Sequence, residues 1–427
     1  MIEGLFLLIG LLLLIFTGIP IFISITIVAV ISALAMGVPF QMTIIKLFGS
    51  VNSFSLMAIP FFIIAGNIMT KAQITDKLVD FAKALLGNTK GGLAHCTTFA
   101  SFLFGGIQGS GIANASAIGG MLIPAMEKQG YSKDYAVVVT TSSSMMSPIV
   151  PPSIAMILYS FYTEVPVGKL FIGGFIPGLL LCAGLIAVNY FLYIKRDFHC
   201  QVEPFSLKNV FKSFIKSLGA LTMPLIILVG ILSGLVTPTE SGVLAITYGI
   251  VYGMFITHTL KLKDLVPIIF ESAKTTSVVM LIIAAAGILS NVLVRMHFQA
   301  EVLHLAVEVL QNPYLASLFL MAVFLVLGMF LDPTVLIAMF ATTVLTVGKA
   351  FNFDPIHYGV LMVIVMQIGA ITPPVGTFLF ISCGIGKLPL EKSVKPMMPY
   401  LIVIIALSML LLFVPSLVTF LPNAFSS

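Results

Sequence analysis

The chain has 427 residues, of which 59% are hydrophobic and 9% charged, against roughly 25% charged in an ordinary soluble domain. That balance excludes a soluble globular protein and predicts a polytopic membrane protein of all-α class. The formal charge of +5 therefore reports orientation in a bilayer rather than affinity for nucleic acid.

In chain order, the apolar pattern predicts helices near 4–17, 20–36 and 54–70, then an amphipathic stretch near 75–87. The first Lys is Lys46, and Glu3 stands where a secretory leader carries basic residues, so the start does not read as a signal peptide. A long apolar segment, 91–127, follows and is interrupted at Gln108-Gly109-Ser110-Gly111. A broken helix over 132–163 and a closing span over 168–194 complete the first half. The longest polar stretch lies between the halves, giving a first repeat over 1–195, a cytoplasmic linker over 196–215 and a second repeat over 216–427.

The second half predicts helices near 216–236, 240–258 and 275–294 and an amphipathic stretch over 299–311. The apolar segment 313–350 is interrupted at Leu331-Asp332-Pro333. A broken helix over 355–386 and a last span near 396–420 follow. The breaks match: Ser147-Pro148-Ile149-Val150-Pro151-Pro152 and Gly369-Ala370-Ile371-Thr372-Pro373-Pro374 set Pro151 and Pro373 222 positions apart. The same offset carries Gly106 onto Gly328 and Ser110 onto Asp332. Prolines inside apolar runs, repeated in both halves, are the pattern of discontinuous helices at a transport site.

The segments 91–127 and 313–350 read either as two spans each or as re-entrant hairpins. The pieces on either side of each break fall short of the roughly 20 residues of a full crossing, which favours hairpins with tips enclosed in protein. Each half then has five crossings, an odd number, and the halves are inverted relative to one another. With 196–215 in the cytoplasm, four of the 21 basic residues (Lys46, Lys169, Arg295 and Lys349) fall outside and the remaining 17 fall inside, a strong positive-inside bias. Both termini lie outside in this arrangement; the first hairpin opens from the cytoplasm and the second from the external side.

Where helices stop inside a membrane, unsatisfied carbonyls carry partial negative charge and unsatisfied amides partial positive charge. The first suit Na⁺ and the second an anion. The first tip runs through Gly109-Ser110-Gly111 to Asn114, opposite Thr140-Thr141-Ser142-Ser143-Ser144-Met145-Met146-Ser147-Pro148, a stretch rich in hydroxyl oxygens beside three prolines. The competing reading is that these Ser and Thr side chains only pack helices closely. The second tip, Gly328 to Thr334, holds Asp332, a buried carboxylate expected to cap the following arm and to take a direct or indirect part in cation binding. Thr237 and Glu240 have capping-box spacing, and Arg295 reads as snorkelling at a span end. The four cysteines and six histidines show no metal or redox spacing, and no acid–base pair, Walker loop or nucleophile elbow appears, so the chain is not read as an enzyme or an ATP-driven pump.

Three stretches, Gly109-Ser110-Gly111-Ile112-Ala113-Asn114-Ala115-Ser116-Ala117-Ile118-Gly119, Gly234-Leu235-Val236-Thr237-Pro238-Thr239-Glu240 and Gly369-Ala370-Ile371-Thr372-Pro373-Pro374-Val375-Gly376, resemble the large, DctM-like membrane subunit of TRAP (tripartite ATP-independent periplasmic) transporters. The resemblance covers essentially the whole chain. It implies an ion-transporter-superfamily fold, with scaffold helices around a mobile, elevator-type transport domain of two hairpins and two broken helices. It implies Na⁺-coupled import of an organic-acid anion, of C4-dicarboxylate or sialic acid type, across the bacterial inner membrane. It also implies two partners, a periplasmic substrate-binding protein and a small, DctQ-like subunit of four spans, here expected on a separate polypeptide. By position, the resemblance implies one Na⁺ site at Gly109, Ser110, Asn114, Ser144, Ser147 and Val150 and a second at Gly328, Asp332, Gly369 and Thr372. The anion is expected near Ser110, Asn114, Ser153, Thr372 and Val375. Asn114 departs from the usual tip, where relatives commonly carry Asp, which removes local negative charge. The other reading, a stand-alone Na⁺/dicarboxylate symporter of related fold, would lack neighbouring genes for the two partners.

Overall fold

A computed structural model describes residues 2–196, 198 and 205–425, and all regular structure among them is helical. The first five helices are α1 (Ile2–Phe16), α2 (Ile21–Ala35), α3 (Phe40–Gly49), α4 (Ala58–Lys71, preceded by a 3₁₀ turn) and α5 (Ile74–Leu86). The next five are α6 (Gly92–Gln108), α7 (Gly111–Lys128), α8 (Lys133–Ser144), α9 (Ile154–Thr163) and α10 (Val167–Lys195). The second half begins with α11 (Leu207–Leu232), α12 (Pro238–Val251), α13 (Leu262–Arg295) and α14 (Phe298–His304). It ends with α15 (Pro313–Gly328), α16 (Pro333–Ala350), α17 (Pro355–Gly369), α18 (Thr377–Gly386), α19 (Leu390–Phe413) and α20 (Ser416–Ala424). α7 and α16 are each 18 residues long, and both they and the pair α8 and α17 begin 222 positions apart.

Among the described residues six helices are long and apolar enough to cross a membrane, α10, α11, α12 with its π-helical extension to Ile256, α13, α16 and α19, and the bent pair α4 and α5 makes a seventh if taken as one span. α16 reaches spanning length although the sequence reading makes it one arm of a hairpin; 67% of its apolar window is buried inside the protein. α4 and α5 meet at 68°. α4 packs on α12 and α13, and α13 on α2, with large apolar side chains such as Ile31, Leu225, Val229 and Phe255 left exposed on the periphery. In the interior, every residue of 135–153 and of 357–372 is buried.

Several boundaries differ from the sequence reading. α3 was not expected: ten residues after Pro39, with Lys46 in the last turn, are too short to register against neighbouring spans. The linker expected over 196–215 ends earlier, because α11 starts at Leu207, capped by the Ser206 side chain; residues 197 and 199–204 lie outside the described residues. Lys208, Lys212 and Lys216 lower the hydropathy of this stretch but are good helix formers. α13 likewise starts 13 residues before the apolar stretch expected from 275, with the Asp264 carboxylate accepting from the Lys261 amide at 2.9 Å. The last span stops at Phe413, before Pro415, and α20 follows as a separate helix. Glu240 closes the expected capping box: the Thr237 amide donates to its carboxylate at 2.7 Å, and the Glu240 amide donates to the Thr237 hydroxyl at 3.3 Å.

Candidate functional site

The tips of both predicted hairpins sit against the breaks in the buried helices, and small residues make this possible. α6 ends at Gly109, whose φ of +62° favours glycine. A Cβ on Gly105 would lie 2.8 Å from the Ser147 Cα, so the first arm touches the first break backbone to backbone. The Gly109 carbonyl accepts from the Ile154 amide at 3.4 Å. In the second half, a Cβ on Gly328 would lie 2.9 Å from the Gly369 Cα, and the Met329 carbonyl accepts from the Gly376 amide at 3.1 Å. Both Pro151-Pro152 and Pro373-Pro374 peptide bonds are cis.

The two halves exchange partners around this centre. α7 packs on α18, and α16 packs on α9, so the second arm of each tip lies against the broken helix of the other half. Between them is a cavity of about 310 Å³. Its walls come from the first tip (Gly109, Ser110, Gly111), the start of α9 (Ile154, Ala155) and the second tip (Asp332, Thr334). Gln367 and Phe378 flank the second break, and α13 closes the remaining side with Thr275, Val278 and Ile282.

Electrostatically the cavity is a meeting of helix starts. Ser110 caps α7, its Oγ accepting from the Ala113 amide at 3.4 Å. Ser153 caps α9, accepting from the Met156 amide at 3.1 Å while donating to the Pro148 carbonyl. Asp332 caps α16, accepting from the Thr334 amide at 2.9 Å. Among the described residues the amides of Gly111, Ile112 and Ala155 have no hydrogen-bond acceptor, so the starts of α7 and α9 present unused donors and the positive ends of their dipoles to the cavity.

The site residues expected from sequence fall into three groups. Gly109, Ser110 and Asp332 line the cavity. Gly328 and Gly369 form the backbone contact behind the second tip, and Thr372 donates back to the Ile368 carbonyl at 2.6 Å. Asn114, Ser144, Ser147 and Val150 are buried behind the first tip, away from the cavity wall, and Ser153 and Val375 also lie off that wall. Asn114 ties the two arms together, its Nδ2 donating to the Ser101 carbonyl at 2.8 Å, and Ser144 donates to the Thr140 carbonyl at 2.7 Å. Asn114 Oδ1, Ser147 Oγ and Ser101 Oγ are buried with no hydrogen-bond partner, and such orphans in an interior call for a water, an ion or another explanation. Ser101 and Asn114 sit on the two arms and Ser147 on the first break, segments in backbone contact with one another. In the second cluster Asp332 supplies a carboxyl group.

Other participants gave no sequence signal. Phe378 packs so closely on the first tip that a methyl on Gly111 would overlap its ring, yet it reads as one more apolar residue. α13 contributes a wall from within an ordinary span. Asn189 organises a buried network: Tyr400 donates to its Oδ1 at 2.5 Å, its Nδ2 reaches Thr98 Oγ1 at 2.9 Å, and Thr98 meets Ser143 at 2.9 Å. That network fixes α8 just before its break. Arg295 donates to Asn291 on its own helix at 3.0 Å and does not line the cavity.

The family model described as "Tripartite ATP-independent periplasmic transporter, DctM component" matches residues 8–417. The chain is 36% identical over 378 residues to the sialic acid TRAP transporter permease protein SiaT of Haemophilus influenzae, covering 88% of this chain and 61% of that protein. It is 31% identical over 415 residues to the sialic acid TRAP transporter large permease protein SiaM of Vibrio cholerae, covering 96% of each. To the C4-dicarboxylate TRAP transporter large permease protein DctM of Pseudomonas aeruginosa it is 34% identical, covering 89% of this chain and 88% of that one. In fold it is similar to the crystal structure of the Alcanivorax borkumensis YdaH transporter, with a TM-score of 0.63 at 10% identity over 88% of each chain.

Proposed function

The chain belongs to the DctM family of tripartite ATP-independent periplasmic transporter components, and from that premise we propose that it is the translocation subunit of a Na⁺-coupled importer of an organic-acid anion. The observation that carries this reading is the cavity where both tips meet, with the unsatisfied starts of α7 and α9 opening onto it. A carboxylate substrate lies there against the amides of Gly111, Ile112 and Ala155. Asp332 on the same wall repels an anion, so its part is to cap α16 and hold a cation near the second tip. Na⁺ is co-transported cargo, taken up at Asn114 and Ser147 behind the first tip, with Gly109, Ser110, Ser144 and Val150 around them. A second ion is held at Gly328, Asp332, Gly369 and Thr372. Cation binding there draws the tips onto the breaks and completes the anion site, which couples the two solutes.

The substrate class follows that of the relatives, a sialic acid or a C4-dicarboxylate. A periplasmic binding protein delivers it and a small four-span subunit braces the scaffold, in the bacterial inner membrane. In this reading the two halves are inverted repeats, and the unit of tips and broken helices slides against α13 and α4 as an elevator. The test is uptake of labelled acids into proteoliposomes holding this chain with its binding protein and small subunit. Uptake driven by an inward Na⁺ gradient is the expected result; undiminished uptake with K⁺ replacing Na⁺ would overturn the coupling.

A further inference from the structure

A second recess lies far in sequence from the tips, between α5 and the start of α11, with a volume of about 460 Å³. On α5, Lys77, Asp80, Lys83 and Ala84 recur at helical spacing on one face. The opposite face, with Ile74, Leu78 and Val79, is buried. On α11, Asn209, Lys212, Ser213 and Lys216 form the matching face. Four ammonium groups thus line the recess with one carboxylate, a second carboxylate, Asp76, lies one turn away from Asp80, and no ion pair within 4.0 Å joins Asp80 to any of the lysines among the described residues. Lys77 alone is otherwise engaged, donating to the Tyr252 hydroxyl at 3.2 Å.

The position of this recess along α11 identifies its surroundings. Lysines recur through Lys216, and then no charged residue appears up to the helix end at Leu232. The changeover marks the boundary between water and hydrocarbon. On the other side of α11 from the recess, Phe211, Ile215 and Leu218 are exposed apolar side chains, so the helix enters the hydrocarbon at the level of its last lysines. A ligand held in the recess therefore lies where lipid headgroups lie.

We propose that this recess, at the level where α11 passes from water into hydrocarbon, is a binding site for the phosphodiester headgroup of an anionic phospholipid. Basic pockets beside membrane helices recognise such headgroups by charge and burial together. A headgroup between Lys83 and Lys212 ties α5 to α11, and α5 also packs on α6, the first arm of the substrate-site hairpin.

The experiment titrates detergent-purified protein with short-chain phosphatidylglycerol, with phosphatidylcholine of the same chains, and with inorganic phosphate, counting retained adducts by native mass spectrometry. Phosphatidylglycerol is expected to be retained in preference to phosphatidylcholine. The double variant Lys83→Gln/Lys212→Gln is expected to weaken that retention by roughly thirtyfold. Asp80→Asn, which removes the opposing charge, is expected to strengthen it, so the proposal stays testable if the lysine variant is unstable. Equal retention of the two lipids, retention unchanged in the double variant, or no gain in Asp80→Asn each overturns the site. Displacement of phosphatidylglycerol by an equal concentration of inorganic phosphate assigns the recess to a free anion and overturns the lipid assignment.

Discussion

The tip at Gly109 and Ser110 and the tip between Gly328 and Pro333 share a backbone plan and differ in charge. Both press glycine against a broken helix, and both accept an amide from the break onto a tip carbonyl, at 3.4 Å in the first and 3.1 Å in the second. Both cap the following helix with a side-chain oxygen. The first cap is a neutral hydroxyl with a long bond of 3.4 Å; the second is a carboxylate at 2.9 Å. The first has orphaned oxygens behind it in Asn114, Ser147 and Ser101, whereas the second concentrates its polarity in Asp332. One backbone geometry therefore carries two sets of polar groups: several neutral oxygens at the first tip and one carboxyl at the second.

The largest expected effect breaks the shared plan. Gly369→Val forces a side chain into the Gly328 backbone, and Gly105→Val forces one onto Ser147. Each is expected to cost about 3 kcal/mol or more and to lower the melting temperature in detergent markedly. A melting temperature unchanged in both removes the close approach on which the comparison rests.

The next effect separates the chemistries. Asp332→Ala is expected to reduce Na⁺-driven uptake on the order of tenfold or more, equivalent to about 1.4 kcal/mol, while the protein still inserts. Ser110→Ala is expected to impair uptake less, since it removes a long neutral bond. Equal losses in the two variants would mean that charge is not what distinguishes the tips.

A subtler result sharpens the first site. Ser147→Ala deletes a buried hydroxyl that has no protein partner, so thermal stability is expected to stay level or rise. The Na⁺ concentration for half-maximal uptake is expected to rise severalfold. Unchanged Na⁺ dependence would return Ser147 to a packing role. The smallest effect concerns back-bonded hydroxyls: Thr372→Val and Ser144→Ala each give up one hydrogen bond to their own helix, and melting shifts equivalent to about 1 kcal/mol or less are expected.

Much of this was legible in the residues because breaks in an apolar chain are conspicuous. Gly109, Asp332 and the proline pairs interrupt runs that otherwise continue, and helices end there for simple stereochemical reasons. Asp332 as a cap and the box of Thr237 and Glu240 are local patterns, and both are present as read. What escaped was either short, as α3, or nonlocal. Phe378 faces the first tip only because α18 crosses to α7, and Asn189 meets Tyr400 across 211 positions. Lysine-bearing starts of α11 and α13 were missed because hydropathy registers the apolar part of a helix and not its continuation into water.

The crossed packing of α7 on α18 and of α9 on α16 has a consequence for biogenesis. As the ribosome finishes residue 195, α7 already has α6 and α8 to pack on, but α18, which crosses onto it, and α16, which crosses onto α9, have not yet been made. More than 130 further residues must follow before either crossed contact closes. A half-length fragment made alone contains only one side of each such pairing, so a competent centre forms only when both halves are assembled together.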